Sequence, residues 1–330
     1  MIKEYEDKYE SIWDDLVLNN SYNGNFLQTK RFLNYHPSDR FIDNSIMFFN
    51  EDKLVAVLPA NLTEDGRELI SHTGSTYGGI IIREDCCNTH NYNWIFRELL
   101  EYIEDKDFEK VEIRTSDWLY KPSKKRNALL DYYFQLNGFK DRKEIGFFID
   151  LLSIDDDYES DFNSLRRRKL KKAYKQGLIF RELCDERDII DFYSVLEDNM
   201  HKFDTVPVHT LEELLDFRFN RLKNEVSFYG VFREKELIAG SMVFNFCNKK
   251  VFHTQYLCSK QDALEHCPNE FLYTNLIKEA KNTGYRFLSY GTASLDHGNV
   301  YNENLGIYKE GFNTDTYMNT AYIWEKKDVR

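Results

Sequence analysis

Two distant stretches of this chain present nearly the same order of elements, and this repetition narrows the folds open to it more than any other feature. Residues 45–60 read as strand, polar turn, strand, and residues 226–243 read the same way. Aligning Leu54 with Leu237 brings His72 to within two positions of His253, so the register hardly drifts. Each hairpin is followed by a strand (69–82; 250–258), a helix (92–104; 270–281) and a closing strand (110–115; 285–292). A repeat of this length is a repeat of domains, because solenoid units run roughly 20–50 residues. Antiparallel strands followed by a strand–helix–strand crossover predict an α+β fold. Each copy is then a mixed, mostly antiparallel sheet with flanking helices.

Composition agrees. At 330 residues the chain exceeds the roughly 250–300 residues over which one hydrophobic core grows. Its hydrophobic content of 42% suffices for two cores, and 22 Tyr and 25 Phe make them aromatic. A net charge of −12 argues against a DNA partner, since phosphate neutralisation needs a basic surface. No stretch approaches the roughly 20 apolar residues of a membrane helix. The first residues lack the apolar core of a signal peptide. The six cysteines show no Cys-x-x-Cys spacing and the eight histidines no paired-ligand motif. Reduced thiols, a cytoplasmic location and no bound metal are therefore expected.

Within the first copy, helices are predicted over 5–18, near 28–35 and over 127–136, the last ended by Asn137 and Gly138. A strand at 144–151 leads to the acidic run 153–160, the best boundary, which divides the chain into domains 1–152 and 153–330. The second copy opens with a basic helix over 163–176, stopped by Gly177. A strand at 178–182 and helices at 186–201 and 211–222 follow, with Pro207 breaking the chain between them. Beyond the last crossover strand, residues 290–300 form a polar loop of the kind that exposes functional groups. A short helix near 302–309 and a strand at 317–324 finish the chain.

This order of elements resembles the GNAT (Gcn5-related acyltransferase) superfamily. Two copies, a basic helix opening the second, and the closing run Gly306-Ile307-Tyr308-Lys309-Glu310-Gly311-Phe312 look like its Fem-type branch. That branch includes FemAB-type peptidyltransferases of the peptidoglycan bridge and acetyltransferase-like relatives. The likeness extends from Phe26-Leu27-Gln28 to Trp324 and is densest at 26–28, 74–79, 166–177 and 268–312. It implies tandem GNAT-like domains, the first forming an acceptor groove and the second a donor cleft. The implied reaction passes an acyl or aminoacyl group to an amino group of a cell-envelope precursor or amino sugar. The donor would be acyl-coenzyme A (acetyl-coenzyme A) or aminoacyl-tRNA, with no tightly bound cofactor, and the acceptor a small or nucleotide-linked molecule.

In such folds the central strand and its parallel partner splay apart, so that a pantetheine arm bonds to the strand edge. The following helix N-terminus meets the donor's pyrophosphate. The likeness puts that gap between 255–258 and 288–290, with Leu257, Cys258, Asn269, Glu270 and Ser289 against the donor. The chain departs from acetyl-coenzyme A users at 264–271, which has no glycine and carries Glu265 and Glu270. That departure leaves both donors open. It also keeps a reading from another class: a non-catalytic ligand-binding protein with a degenerate GNAT fold.

The basic helix holds seven positive charges between Arg166 and Lys175. It reads either as a solvated face or as a phosphate clamp. In the clamp, Leu165, Leu170, Ala173 and Tyr174 anchor the helix while Arg167, Arg168 and Lys171 project, the arginine forks suiting phosphate. The implied role of Lys309, the lysine of the closing motif, is to offset negative charge on donor phosphate or on the tetrahedral intermediate. Thr292, Ser294, Asp296 and His297 are turn residues by type and substrate contacts by position. An amine acceptor must lose a proton. His297 and Asp296 are the nearest bases, with Tyr256 as an acid for the leaving group. Cys258 reads as a buried structural thiol. Tyr77, Gly78 and Gly79 match a Fem-type stretch at the acceptor groove, where glycine admits close approach or simply a turn.

Overall fold

The computed structural model describes residues 1–37, 39–123, 127–202 and 204–327. The chain divides into two compact units, Met1–Glu144 with Met318–Arg330, and Ile145–Tyr317.

In the first unit the hairpin forms as the alternation predicts. Ile46–Asn50 pairs with Lys53–Leu58 across a turn in which Glu51 takes φ +54°. Ile2–Glu4 and Ile81–Ile82 extend the pair to four antiparallel strands. The strand expected over 69–82 is in fact two pieces. Glu68–Ser71 joins a different set of strands, and the chain turns away until Ile81–Ile82 rejoins the hairpin. The second set runs Ile42–Asp43, Asn61–Leu62, Glu68–Ser71, Lys110–Thr115 and 320–325. The parallel pair Glu68–Ser71 with Lys110–Thr115 is bridged by the helix Thr89–Asp105. The Asn88 side chain caps that helix. Tyr92, Ile95, Phe96, Leu99 and Ile103 form one helical stripe, packed with Ile46, Val55, Leu58 and Ile113. The alternate hairpin side chains Met47, Phe49 and Val57 meet Trp13, Leu16 and Val17 instead.

In the second unit the hairpin strands Val226–Arg233 and Glu236–Phe246 lead straight into Val251–Ser259. The sheet continues with Phe287–Thr292 and then 146–150, and Leu178–Glu182 forms its other edge. Among the described residues of this unit one pair is parallel, Val251–Ser259 with Phe287–Thr292, and the helix Pro268–Asn282 crosses between them. That helix buries Phe271, Leu272, Leu276, Ile277 and Ala280 with Tyr229, Val243 and Phe252. The alternate strand residues meet Glu186–His201, where Phe192 packs edge-on to Phe228 with ring centroids 5.2 Å apart.

The acidic run expected to be the domain boundary lies inside this unit. Lys281 fastens it by donating to the carbonyls of Ile154 and Asp155 and to the Asp156 carboxylate. The basic helix is Ser164–Ala173, and its anchors differ from those expected. Arg166, Leu170 and Ala173 are buried, whereas Leu165 and Tyr174 are 39% and 52% exposed. The inward stripe passes through an arginine because a buried carboxylate, Glu270, awaits it.

Candidate active site

The sheet of the second unit opens at a definite point. Val251, Phe252 and His253 pair with Phe287, Leu288 and Ser289, and the pairing then stops although the strands run on to Ser259 and Thr292. An irregularity marks each strand there. Gln255 is an extra residue opposite Met242 and Val243. Tyr290 is skipped opposite Phe147 and Phe148, and Gly291 follows at φ +68°. Such bulges raise local twist, which carries the strands apart.

Side chains pin the apex. His253 Nδ1 lies 3.1 Å from Ser289 Oγ, and the Thr254 hydroxyl donates to the Ser289 carbonyl at 3.2 Å. Ser289 Oγ also accepts the Gly291 N–H and lies 3.2 Å from the Tyr317 hydroxyl. Burial, helped by the charge of Lys309, pushes the His253 pKa down to about 3, so its imidazole is neutral.

Lys309 sits in the helix Glu303–Glu310, which Asn302 caps. Its ammonium donates to the carbonyl oxygens of Tyr290 and Thr292, both at 2.7 Å, and of Gly291 at 3.2 Å. The side chain is 4% exposed, and burial pushes its pKa down to about 7. Stacking of Phe312 on Tyr273, with Tyr308 edge-on, holds this helix in place. The lysine thus clasps the end of the parted strand and brings buried positive charge to it.

The crossover helix begins abruptly. Cys267 takes φ +56° and Pro268, at the first helical position, brings no N–H. The first-turn amides are therefore those of Asn269, half-buried, and Glu270, whose side chain is 3% exposed. The Glu270 carboxylate is paired with Arg166 and lies 3.4 Å from Lys169 Nζ. The Arg166 guanidinium stacks 4.0 Å from the centre of the Tyr308 ring. Burial and Glu270 raise the Cys267 thiol's pKa, and Lys172 and Lys169 oppose them, so both ammonium groups are felt at the helix start.

The remaining predicted residues fall in several places. Arg167, Arg168 and Lys171 project into solvent, and Arg167 donates to the Ser160 carbonyl. Leu257 packs on the core, and buried Cys258 donates to the Gly240 carbonyl with its pKa pushed up to about 12 by burial. Tyr256 lies 2.7 Å from His209 Nδ1, and burial pushes its pKa up to about 12. Asp296 and His297 occupy an exposed turn, both at positive φ, with the Asp296 carboxylate accepting from Asn299. Ser294 accepts the Ile145 N–H. Lys309, Ser289 and Thr292 are thus brought together with His253, while Asn269 and Glu270 gather with Arg166 and Lys169. Sequence reasoning missed His209, His253, Arg166, Lys169 and Lys172. The last three stood within the basic run, but nothing local marks which charges turn inward.

The corresponding place in the first unit is filled. Beyond the Ser71–Ile113 pair, Gly78 N–H donates to the Arg114 carbonyl at 3.1 Å and Gly79 N–H to Ser71 Oγ at 3.3 Å. Gln28 holds the Gly78 carbonyl from the other side. A Cβ on Gly78 would stand 2.1 Å from the Ser71 carbonyl oxygen, so the close approach requires glycine. Tyr77 is buried, its ring 4.8 Å from that of Tyr120.

Among the described residues no group of side chains could hold a metal ion, and no helix is long and apolar enough to cross a membrane. No family model and no curated protein matches the sequence. Solved structures match by fold. FemX superposes with a TM-score of 0.65 at 12% identity, over 99% of this chain and 97% of that one. The C-terminal DUF2156 domain of a putative lysylphosphatidylglycerol synthetase from Agrobacterium fabrum gives 0.62 at 12% identity, over 96% and 91%. A tandem GNAT protein from the clavulanic acid biosynthesis pathway gives 0.57 at 8% identity, over 100% and 99%. At such identities the likeness is one of architecture, and the architecture of this chain is an α+β, GNAT-like fold.

Proposed function

We propose that this protein is an acyltransferase that holds its donor in the opening of the second unit and transfers an acyl or aminoacyl group to an amine. The observation that carries the reading is the parting of Val251–Ser259 from Phe287–Thr292 after the His253–Ser289 pair. An extended acyl-bearing arm adds to such an edge through backbone hydrogen bonds. The acceptor nitrogen attacks the acyl carbon, the bond to the thiolate or ribose oxygen breaks, and the amine proton leaves to a base.

Each residue then has a task. Lys309 fixes the end of the parted strand and offsets charge on the donor or on the developing oxyanion. The Tyr256 hydroxyl, oriented by His209, protonates the leaving group. Asp296 and His297, on their exposed turn, are the candidate bases. Donor phosphate is met by side-chain cations rather than by a glycine loop. Lys169 and Lys172 are felt at the helix start, and Arg167, Arg168 and Lys171 add to the field. The acceptor, an envelope precursor or amino sugar, is assigned to the first unit, where the buried Tyr77, Gly78 and Gly79 shape the fold and do not line an open groove.

Acetyl-coenzyme A and a short aminoacyl-RNA stem with a stable amide link distinguish the two donors. The true donor raises the melting temperature, since ligand at 100 times its dissociation constant adds about 2.7 kcal/mol. Its affinity falls with salt, less steeply after Lys169→Ala with Lys172→Ala. If neither donor stabilises the protein, the acyl-transfer reading fails. The buried Glu270 carboxylate at the helix start favours the second reading, a ligand-binding protein without catalysis. That reading is sustained if a donor binds but no acylated amine forms, by mass spectrometry, with a panel of amino sugars.

A further inference from the structure

Glu112 stands in the middle of the second set of strands in the first unit. It lies opposite Ile70 on one neighbouring strand and Ile323 on the other. The two faces of these strands differ. Val111, Ile113 and Tyr322 pack with the helix Thr89–Asp105, whereas Ile70, Ala321 and Ile323 on the other face are only half-buried. A carboxylate on that second face, its side chain 7% exposed, must be paired to keep its charge.

It is paired twice. Arg114 Nε donates to Glu112 Oε1 at 2.7 Å, and Arg142 Nη2 donates to the same oxygen at 3.0 Å. Residues 140–144 lie beyond 320–325 from Lys110–Thr115, so Arg142 reaches Glu112 across the strand that carries the small Ala321. Burial would raise the Glu112 carboxyl, and Arg114, Arg142 and Lys110 overcome it and hold its pKa below the usual value. One guanidinium neutralises the carboxylate, and the second is a surplus positive charge. Lys110 adds nothing to that surplus, because Glu68 holds its ammonium at 3.0 Å.

The surplus is also one of hydrogen-bond donors. Each guanidinium carries five N–H groups and spends one on Glu112. Neither has another partner among the described residues. Arg142 Nε is buried and unmatched, which is rare for a donor of this kind. The two side chains are 25% and 23% exposed, so they meet solvent while partly desolvated.

We propose that Arg114 and Arg142 form a binding site for the phosphate group of a small molecule, with Glu112 positioning both forks. Two guanidiniums gathered on one oxygen can meet a tetrahedral oxyanion together, each through paired N–H groups. A planar carboxylate is satisfied by one fork and gains less from the second. The Lys110–Glu68 pair beside them is neutral, which confines the positive field to one spot and suits a single phosphate rather than a nucleic-acid backbone. This inference concerns the first unit alone and stands whether or not the second unit transfers acyl groups.

Inorganic phosphate is the probe, with acetate as the carboxylate and chloride as the control for ionic strength. Each is titrated into the full chain in a cationic buffer. The readouts are the melting temperature and the NMR signals of the arginine Nε–H groups, assigned by their loss in Arg114→Gln and Arg142→Gln. Phosphate should saturate below about 10 mM and shift both signals, and acetate should bind at least about tenfold more weakly. Arg142→Gln leaves Glu112 paired with Arg114, and Arg114→Gln leaves it paired with Arg142, so the carboxylate stays matched in either variant. Each should weaken phosphate at least about tenfold. Arg142→Lys should recover little, because an ammonium keeps the charge and loses the fork. Lys169→Ala with Lys172→Ala should leave both shifts unchanged, which separates this site from a donor site in the second unit. The proposal is overturned if phosphate does not saturate, or if acetate or chloride shifts the two signals equally at the same ionic strength. It is overturned equally if a folded Arg→Gln variant, or Arg142→Lys, binds phosphate as the wild type does.

Discussion

His253 Nδ1 and Ser289 Oγ, 3.1 Å apart, join the last residues that the two parallel strands of the second unit share. Beyond this pair the strands separate. Ser289→Ala removes one oxygen that serves His253, Tyr317 and the Gly291 N–H together. Buried groups left without partners cost about 1–3 kcal/mol, and urea unfolding should show a loss of that size. A loss under about 0.5 kcal/mol, the range of an ordinary surface change, would mean that the bulges and the Thr254 hydroxyl hold the apex without the Ser289 side chain.

Acid should act through buried neutral histidines. Burial holds His253 and His72 near pKa 3 and His36 near 4, against about 6.5 when unfolded. Below 6.5 the unfolded chain binds these protons first, so stability falls as pH drops, by about 1.4 kcal/mol per unit for each histidine. His253→Gln should reduce the slope between pH 6 and 4 by about one proton's worth. An unchanged slope in that window would show that His253 is not held neutral.

The Arg166–Glu270 pair, 7% and 3% exposed, predicts an asymmetric mutational pattern. Glu270→Gln leaves the Arg166 guanidinium buried against a neutral amide and should cost about 3–5 kcal/mol. Replacing both, Arg166→Met with Glu270→Leu, should recover most of that loss, because the desolvation cost disappears with the charges. A double variant as unstable as the single one would mean that the guanidinium's stacking on Tyr308 matters more than its charge.

The same pair shows where sequence reading stops. The hairpins at 46–58 and 226–246 were legible because side chains alternate around a polar turn, a pattern set by neighbours. The break at 72–80 was not, since the apolar Ile80, Ile81 and Ile82 look like more of the same strand. Arg166 looked like any member of a charged run, its partner standing 104 positions away. His209 and Tyr256, 47 positions apart, meet only through folding. Lys309 was marked by the closing motif, but its partners are backbone carbonyls, which no residue type announces.

Glycine positions test packing against conformation. At Gly78 an added Cβ would stand 2.1 Å from the Ser71 carbonyl oxygen, and the backbone of Ser71 and His72 would have to move. Gly78→Ala should cost about 1–3 kcal/mol or more, as overpacking does. Gly138 has open space but φ +82°, so Gly138→Ala should cost about 1–2 kcal/mol from conformation alone. Equal losses at the two sites would show that the 72–80 segment yields easily.

Lys309 is where stability and chemistry separate most clearly. Burial holds its pKa near 7 in the folded chain, against about 10.4 when unfolded. Between those values the unfolded state binds the extra proton, so stability rises with pH by about 1.4 kcal/mol per unit. The burial penalty is full below pH 7 and is relieved toward pH 10. Lys309→Met should lose this rise, making wild type gain on the variant as pH increases through that window. Once a donor and acceptor are known, the same variant should lose about 10²–10³ in turnover, the effect of removing a preorganised donor. Lys309→Arg should restore little, because a planar guanidinium cannot fill the compact site formed by the Tyr290, Gly291 and Thr292 carbonyls. Normal turnover in a Lys309→Met protein that has lost the alkaline rise would make the lysine a strand clasp alone, and the oxyanion's counter-charge would have to come from another residue.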